Sequence, residues 1–339
     1  MKRRLSWIAW LSLVVVLVAA SLPGCAAGDD KSDEVIRFAD CAWDTQTFMV
    51  YVAEFIVANG YDYGTRVDPT TNVVGLKAIE NGDIDVHMEV ANIALQEPHD
   101  ALIATGLGED LGVCYSPMTQ LWLVPTYMIE GYAARGIEPM MPDVKTVFDM
   151  AEQWELFQDP EVPEKGRFYG CIPGWQCEKT NKLKIEGYGL DQYYNVFTPG
   201  SDTALATSMI TAYEKGEPWF GYYWQPTWVL GKGDMTPLEE PAWSEDLWNE
   251  ESKYACGYPR EDNYIVGATS LQERAPDVRQ FLIDFNIPLD VINTMLVYLQ
   301  DSGQLASDPE VTDWFLTRYE DVWTEWVPSD VADKVKAAL

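Results

Sequence analysis

Through Asn81-Gly82-Asp83-Ile84-Asp85-Val86-His87-Met88-Glu89-Val90 the chain turns and then alternates apolar and polar side chains, the pattern of a β-strand entered from a tight turn. Upstream, Val35 to Ala39 reads as a buried strand, and the loop after it holds Cys41, Trp43 and Asp44. Phe48, Val52, Phe55 and Ile56 then recur at helical spacing, with Asn59-Gly60 as a stop signal. Val73, Leu76 and Ile79 mark a second, shorter helix. Strand, helix, helix, strand at this pace predicts an α/β lobe with parallel pairing.

Further along, Leu121 to Val124 reads as another strand, and Pro125 marks the exit from this lobe. Residues 126–259 are rich in Pro, Gly and aromatics with short strand-like runs, and Tyr264 to Ala268 carries the chain back. The remainder is helical: Val278, Phe281, Leu282 and Phe285 share one face, Ile292, Met295, Leu296 and Leu299 a second, and Phe315, Tyr319, Val322 and Trp326 a third. The pattern predicts an α/β protein of two lobes joined by a two-crossing hinge. Lobe 1 is discontinuous (34–125 and 260–339) and lobe 2 spans 126–259. Such a shape can close around a small molecule.

The N-terminus sets the compartment. Lys2, Arg3 and Arg4 precede an apolar run of about 16 residues, shorter than the ~20 that span a bilayer, and Leu22-Pro23-Gly24-Cys25 closes it. Residues 1–24 read as an export signal. The closing tetrapeptide resembles the bacterial lipobox, which makes Cys25 the acylated new N-terminus, with residues 25–33 as a solvated tether. An uncleaved N-terminal anchor is the rival reading and gives the same outcome, an extracytoplasmic protein held at a membrane. Removing residues 1–24 takes away three basic and no acidic side chains, so the formal charge moves from −31 to −34. Nucleic acid is excluded as a partner by so acidic a chain, because phosphate contacts need basic clusters.

Export permits disulfides. Cys171 and Cys177 enclose five residues, including Pro173 and Gly174, so a local bridge is the economical pairing, while Cys41, Cys114 and Cys256 leave at least one thiol unpaired. The bridge restrains Trp175. His87 and His99 are the only histidines and neither lies near the cysteine pair, so no metal is implied. Trp224 and Trp228 follow in Phe220-Gly-Tyr-Tyr-Trp-Gln-Pro-Thr-Trp228. Aromatic rings on constrained loops suit a quaternary ammonium held by cation–π attraction, although large aromatics also fill ordinary cores. Trp228 is read as packing. The sequence carries no Gly-x-Ser-x-Gly elbow, phosphate loop or His-Glu-x-x-His signature. An exported glycoside hydrolase remains a rival, since it needs only two carboxylates across a cleft.

Gly82-Asp-Ile-Asp-Val-His-Met-Glu-Val90, Gly170-Cys-Ile-Pro-Gly-Trp-Gln-Cys-Glu178, Tyr222-Tyr-Trp-Gln-Pro-Thr-Trp228 and Ala255-Cys-Gly-Tyr-Pro259 together resemble the glycine betaine/proline betaine substrate-binding proteins of ABC importers. The resemblance implies a type II periplasmic-binding fold, a ligand between the lobes, no cofactor, and delivery to a membrane permease driven by a separate ATPase. It places Trp175 and Trp224 as walls of an aromatic box, Trp43 as a further contributor, and Cys171–Cys177 as the local disulfide. Many members carry another box Trp after the Glu89-Val90 strand end, where this chain has Ala91. Trp43, Trp122 or Tyr223 is expected to fill the gap, or the pocket takes a different amine such as choline or carnitine. Glu89 is expected to face the ammonium end or to be tied elsewhere, and His87 or backbone N–H groups to meet a ligand carboxylate.

Overall fold

The computed structural model describes residues 31–339. The signal segment 1–24, Cys25 and the tether up to residue 30 lie outside the described residues. Lys31, which the sequence reading put in the tether, is held on the first lobe: its Nζ pairs with Asp277 and lies 4.7 Å from the centroid of the Tyr63 ring. Among the described residues no single helix is long and apolar enough to cross a membrane.

Nine strands occur among the described residues: β1 (Val35–Asp40), β2 (Gly64–Pro69), β3 (Val86–Ala91), β4 (Gly108–Pro125), β5 (Gly166–Tyr169), β6 (Tyr194–Phe197), β7 (Gly221–Gln225), β8 (Met235–Pro237) and β9 (Glu261–Ala268). Their order is β2-β1-β3-β9-β4-β7-β5-β6, with β8 also on β4. In the first lobe β1 pairs in parallel with β2 and β3, as the strand–helix–helix–strand pattern predicts, and β9 returns antiparallel to β3. The second lobe carries the parallel ladder β7-β5-β6. Two α/β lobes with mixed sheets result.

β4 is shared by both lobes. Its residues up to Met118 pair with β9, and from Thr119 onward it pairs with β7 and then β8. Pro125 therefore marks the end of a strand that has already changed partners.

Helix α1 (Asp44–Gly60) buries Phe48, Val52 and Ile56 against β1 and β3. Helix α2 (Asn72–Asn81) covers the other face with Leu76 and Ile79. It stops at Gly82, whose φ of 77° lies in the left-handed region where a side chain costs energy, and whose N–H bonds back to Ile79 O. The C-terminal helices Pro276–Asp284, Leu289–Ser302 and Pro309–Arg318 pack Phe281, Met295 and Phe315 into the same core as α1. The third apolar face, 315–326, is not one helix, because the chain breaks at Tyr319 and tightens into short turns.

Covered on both faces, β3 is buried throughout, polar residues included. Its period-2 alternation marks two different interiors and no solvent side. Just before it, Asp85 accepts bonds from Arg37 Nε (2.8 Å) and Arg274 Nη1 (2.7 Å), and the two guanidiniums hold its carboxyl below the usual range despite burial.

Candidate functional site

Between the lobes, beyond the C-terminal end of β3, lies a cavity of about 60 Å³. One water needs roughly 10–15 Å³ on this scale, so the space suits a small solute. Ligands in α/β proteins commonly bind at this end of the strands.

Its aromatic wall comes from separate segments. Trp43 occupies the extended residue before α1, and Trp175 the extended residue before the helix Gln176–Gly187. Their rings meet edge to face at 4.9 Å, and Trp175 meets Trp224 of β7 in the same way at 5.6 Å. Tyr222, two residues before Trp224 on the same strand face, and Tyr258 continue the wall, with their ring centroids 5.8 Å apart. Cys171 and Cys177 are bridged, which fixes the loop carrying Trp175. Within it Gly174 has φ +84°, and an added Cβ would stand 2.9 Å from Thr71 of the first lobe, so a side chain there would push the lobes apart. Beside it, Gln176 N donates to Asn72 Oδ1 across the lobes at 3.2 Å.

Glu89 supplies the cavity's one lining carboxyl among the described residues. Thr45 Oγ1 donates to its Oε2 (2.7 Å) and Tyr115 Oη to its Oε1 (2.6 Å). Burial outweighs these donors, to which Trp43 adds, and pushes the carboxyl up to about 7.

Three residues expected at the site, His87, Tyr223 and Trp122, do not line the cavity. His87 is fully buried deeper along β3, with Nε2 3.4 Å from Cys41 Sγ and its ring packed against Gly75 of α2. Burial pushes it down to about 4, which keeps it neutral, and it does not line this cavity. Tyr223 does not line the cavity: its ring stacks on that of Trp224 with centroids 4.4 Å apart and borders a crevice shared with Asp44, Asp202 and Trp228. Trp228 Nε1 donates there to Asp44 Oδ2 at 2.9 Å. Trp122 is buried in the second-lobe core, donating to Asn181 Oδ1.

Trp43, Tyr222 and Tyr258 line the cavity together with Ala91. Sequence reasoning missed both tyrosines. Strand parity was the available signal: if Trp224 faces the ligand, Tyr222 does and Tyr223 does not. Asn72, Gln120, Thr180 and Asn263 also line the cavity and carried no local signal.

Burial raises three carboxyls to about 7: Glu89, Asp202 and Glu261. Raised above their unfolded values of ~4, they stabilise the fold fully below about pH 4, and this stability is lost as pH climbs through about 7. His99, raised chiefly by its bond to Asp110, acts in the same sense. His87 opposes them, being pushed down to about 4. The carboxyls outnumber it, and self-repulsion of a chain at −31 grows in the same direction. The ligand-free protein is expected to melt at a higher temperature near about pH 5.5 than near about pH 8. A scanning calorimetry series in which melting temperature climbs over that span would contradict this balance.

Residues 34–318 match the family described as the substrate binding domain of ABC-type glycine betaine transport system. The chain is 23% identical over 207 residues to the glycine betaine/proline betaine-binding periplasmic protein of Escherichia coli (strain K12), an alignment spanning 54% of this chain and 62% of that protein. It therefore reaches less than two thirds of that relative's length. Among solved structures, the glycine betaine, L-proline ABC transporter binding protein (ProX) from Borrelia burgdorferi superposes with a TM-score of 0.71 at 16% identity, covering 89% of this chain and 100% of that one. An ABC-transporter choline binding protein in complex with choline gives a TM-score of 0.71 at 17% identity, covering 90% of this chain and 97% of the other. These superpositions bear out the type II periplasmic-binding fold.

Proposed function

Because the chain belongs to the family of substrate-binding domains of ABC-type glycine betaine transport systems, we propose that it is the solute-binding component of an ABC importer, capturing glycine betaine or a related quaternary ammonium compound. The observation that carries this reading is the run of Trp43, Trp175 and Trp224 in mutual contact beside Glu89 around one interlobe cavity. A permanently cationic, methylated headgroup is attracted to ring faces by about 0.5–2 kcal/mol each, more when desolvated. Micromolar affinity, about −8 kcal/mol, is within reach of an eight-heavy-atom ligand at up to about 1.5 kcal/mol per atom, provided the box is rigid and dry. The bridged Trp175 loop and the burial of Trp43 and Trp175 supply both conditions.

Both lobes contribute walls, so the ligand favours the closed arrangement by the contacts that exist only there. On this reading the domain is extracytoplasmic, tethered through a lipid on Cys25, and hands its cargo to a permease and its ATPase subunits. The lobe division follows the strand ladders, with the exchange inside β4. A glycoside hydrolase finds no support, since the family and fold are those of transport-binding proteins.

Intrinsic tryptophan fluorescence titrated with glycine betaine, proline betaine, choline and carnitine tests the proposal, with maltose as control. A saturable change for a methylated amine and none for maltose is the expected result. No response to any amine up to millimolar concentration would reject it.

A further inference from the structure

Among the described residues, two side chains in the cavity wall are buried with polar atoms that have no hydrogen-bond partner. Asn263 of β9 is 0% exposed, and neither its Oδ1 nor its Nδ2 is bonded. Thr180, in the helix Gln176–Gly187, is 1% exposed with its Oγ1 unbonded. A buried polar group left unpaired costs about 1–3 kcal/mol, so these atoms point to a ligand that completes them. Exchanging the amide's oxygen and nitrogen would not change this, because both lack partners.

The chemistry of the missing partner follows from the donor set. Asn263 presents a donor and an acceptor on one planar group. A hydroxyl, which both donates and accepts, satisfies the pair. A carboxylate satisfies the Nδ2 side alone and sets its lone pairs against Oδ1. Asn263 is paired across the ladder with Ala91, whose small side chain leaves the amide open to the cavity.

Charge points the same way. Glu89 lines the cavity, and among the described lining residues there is no Lys, Arg or His to meet an anion. The helix start beside the cavity could receive one through its backbone N–H groups. There Gly174 N donates to Glu178 Oε2 (2.9 Å) and Gln176 N to Asn72 Oδ1 (3.2 Å), so of the first helical N–H groups on the lining only that of Cys177 is left to an anion. A zwitterion's carboxylate would meet no cationic side chain there, only neutral donors such as Asn263 Nδ2 and Thr180 Oγ1, in a cavity that it shares with Glu89.

Building on the transport reading above, we propose that this cavity selects a quaternary ammonium alcohol, of which choline is the simplest, over carboxylate-bearing betaines. The ammonium sits against the rings next to Glu89, and the hydroxyl completes Asn263, with Thr180 as a second contact.

Isothermal titration of the purified chain near about pH 8, where Glu89 is largely ionised, with choline, glycine betaine, acetylcholine and tetramethylammonium tests this. Choline is expected to bind at least about tenfold more tightly than glycine betaine and than acetylcholine, whose hydroxyl is capped. Asn263→Leu should weaken choline about tenfold or more while leaving tetramethylammonium nearly unchanged, and Glu89→Gln should narrow the gap between choline and glycine betaine. If Asn263→Leu fails to fold, Thr180→Val provides the same comparison. Glycine betaine binding as tightly as choline in the parent protein would overturn the selection and leave the transport reading intact. Equal losses for choline and tetramethylammonium in the variant would overturn the role of Asn263. Failure of every amine to bind would remove both proposals.

Discussion

Replacing Trp175 with alanine is expected to raise the dissociation constant for a quaternary ammonium ligand about 100-fold. Trp175 is the middle ring of the wall, in edge contact with Trp43 on one side and Trp224 on the other. A desolvated cation–π contact contributes up to about 2 kcal/mol, and each ring–ring contact about 0.5–1.5 kcal/mol toward holding the neighbours in place. Losing the ring removes the first contribution outright and part of the second, roughly 3 kcal/mol together. Calorimetry is the suitable readout, because the variant also loses a fluorophore. Trp43→Ala should cost less, since it removes an end of the wall and leaves Trp175 and Trp224 in contact. Binding by Trp175→Ala within about threefold of the parent would show that the box does not hold the ligand.

Lys184→Met is expected to destabilise the folded protein by about 3–5 kcal/mol. The Lys184 side chain is 0% exposed, and its ammonium lies 2.5 Å from Glu240 Oε1 and donates to Cys256 O at 2.6 Å. Three rings surround it: Tyr258 at 4.4 Å, Tyr188 at 5.3 Å and Trp122 at 5.5 Å. Burial draws its pKa down, and Glu240 opposes that shift. Methionine fills most of the volume but leaves the Glu240 carboxylate, 9% exposed, without its cation and with Tyr188 Oη (2.8 Å) as the remaining donor. The dominant cost is the loss of the cation from that buried carboxylate, so Lys184→Met/Glu240→Leu should recover part of the loss, less what the freed Tyr188 hydroxyl and Cys256 carbonyl cost. Urea unfolding of the two variants separates the charge effect from packing. A single variant within about 1 kcal/mol of the parent would show that the pair is not coupled as its geometry requires. Tyr258 also lines the interlobe cavity, so on the proposed function the single variant should bind amines more weakly even where it stays folded.

Legibility in the sequence followed the range of the interactions involved. The order of β1, α1, α2 and β3 could be read because periodicity, turn residues and caps act within a few positions of one another. The Cys171–Cys177 bridge was readable for the same reason, its partners lying six apart. Strand β2 was missed: Gly64–Pro69 is short, half-exposed and without a clean alternation. His87 was drawn to the site by its neighbour Glu89, yet the register of β3 against β9 shifts between His87 and Val90, and only Glu89 reaches the cavity.

The amino-acid sequence by itself determined the α/β class, the aromatic segments and the restrained Trp175 loop, all of them products of local pattern and composition. Only the tertiary structure decided that β4 serves both lobes, that Tyr222 and not Tyr223 lines the interlobe cavity, and that Asn263 and Thr180 are left unpaired there among the described residues. It also decided that Lys184 is buried in a cage. Each of these depends on which distant segment arrives beside a residue: Lys184 meets Cys256, and Trp43 meets Trp175. Burial and hydrogen-bond satisfaction are properties of that assembled environment, and a side chain's neighbours along the chain do not contain them.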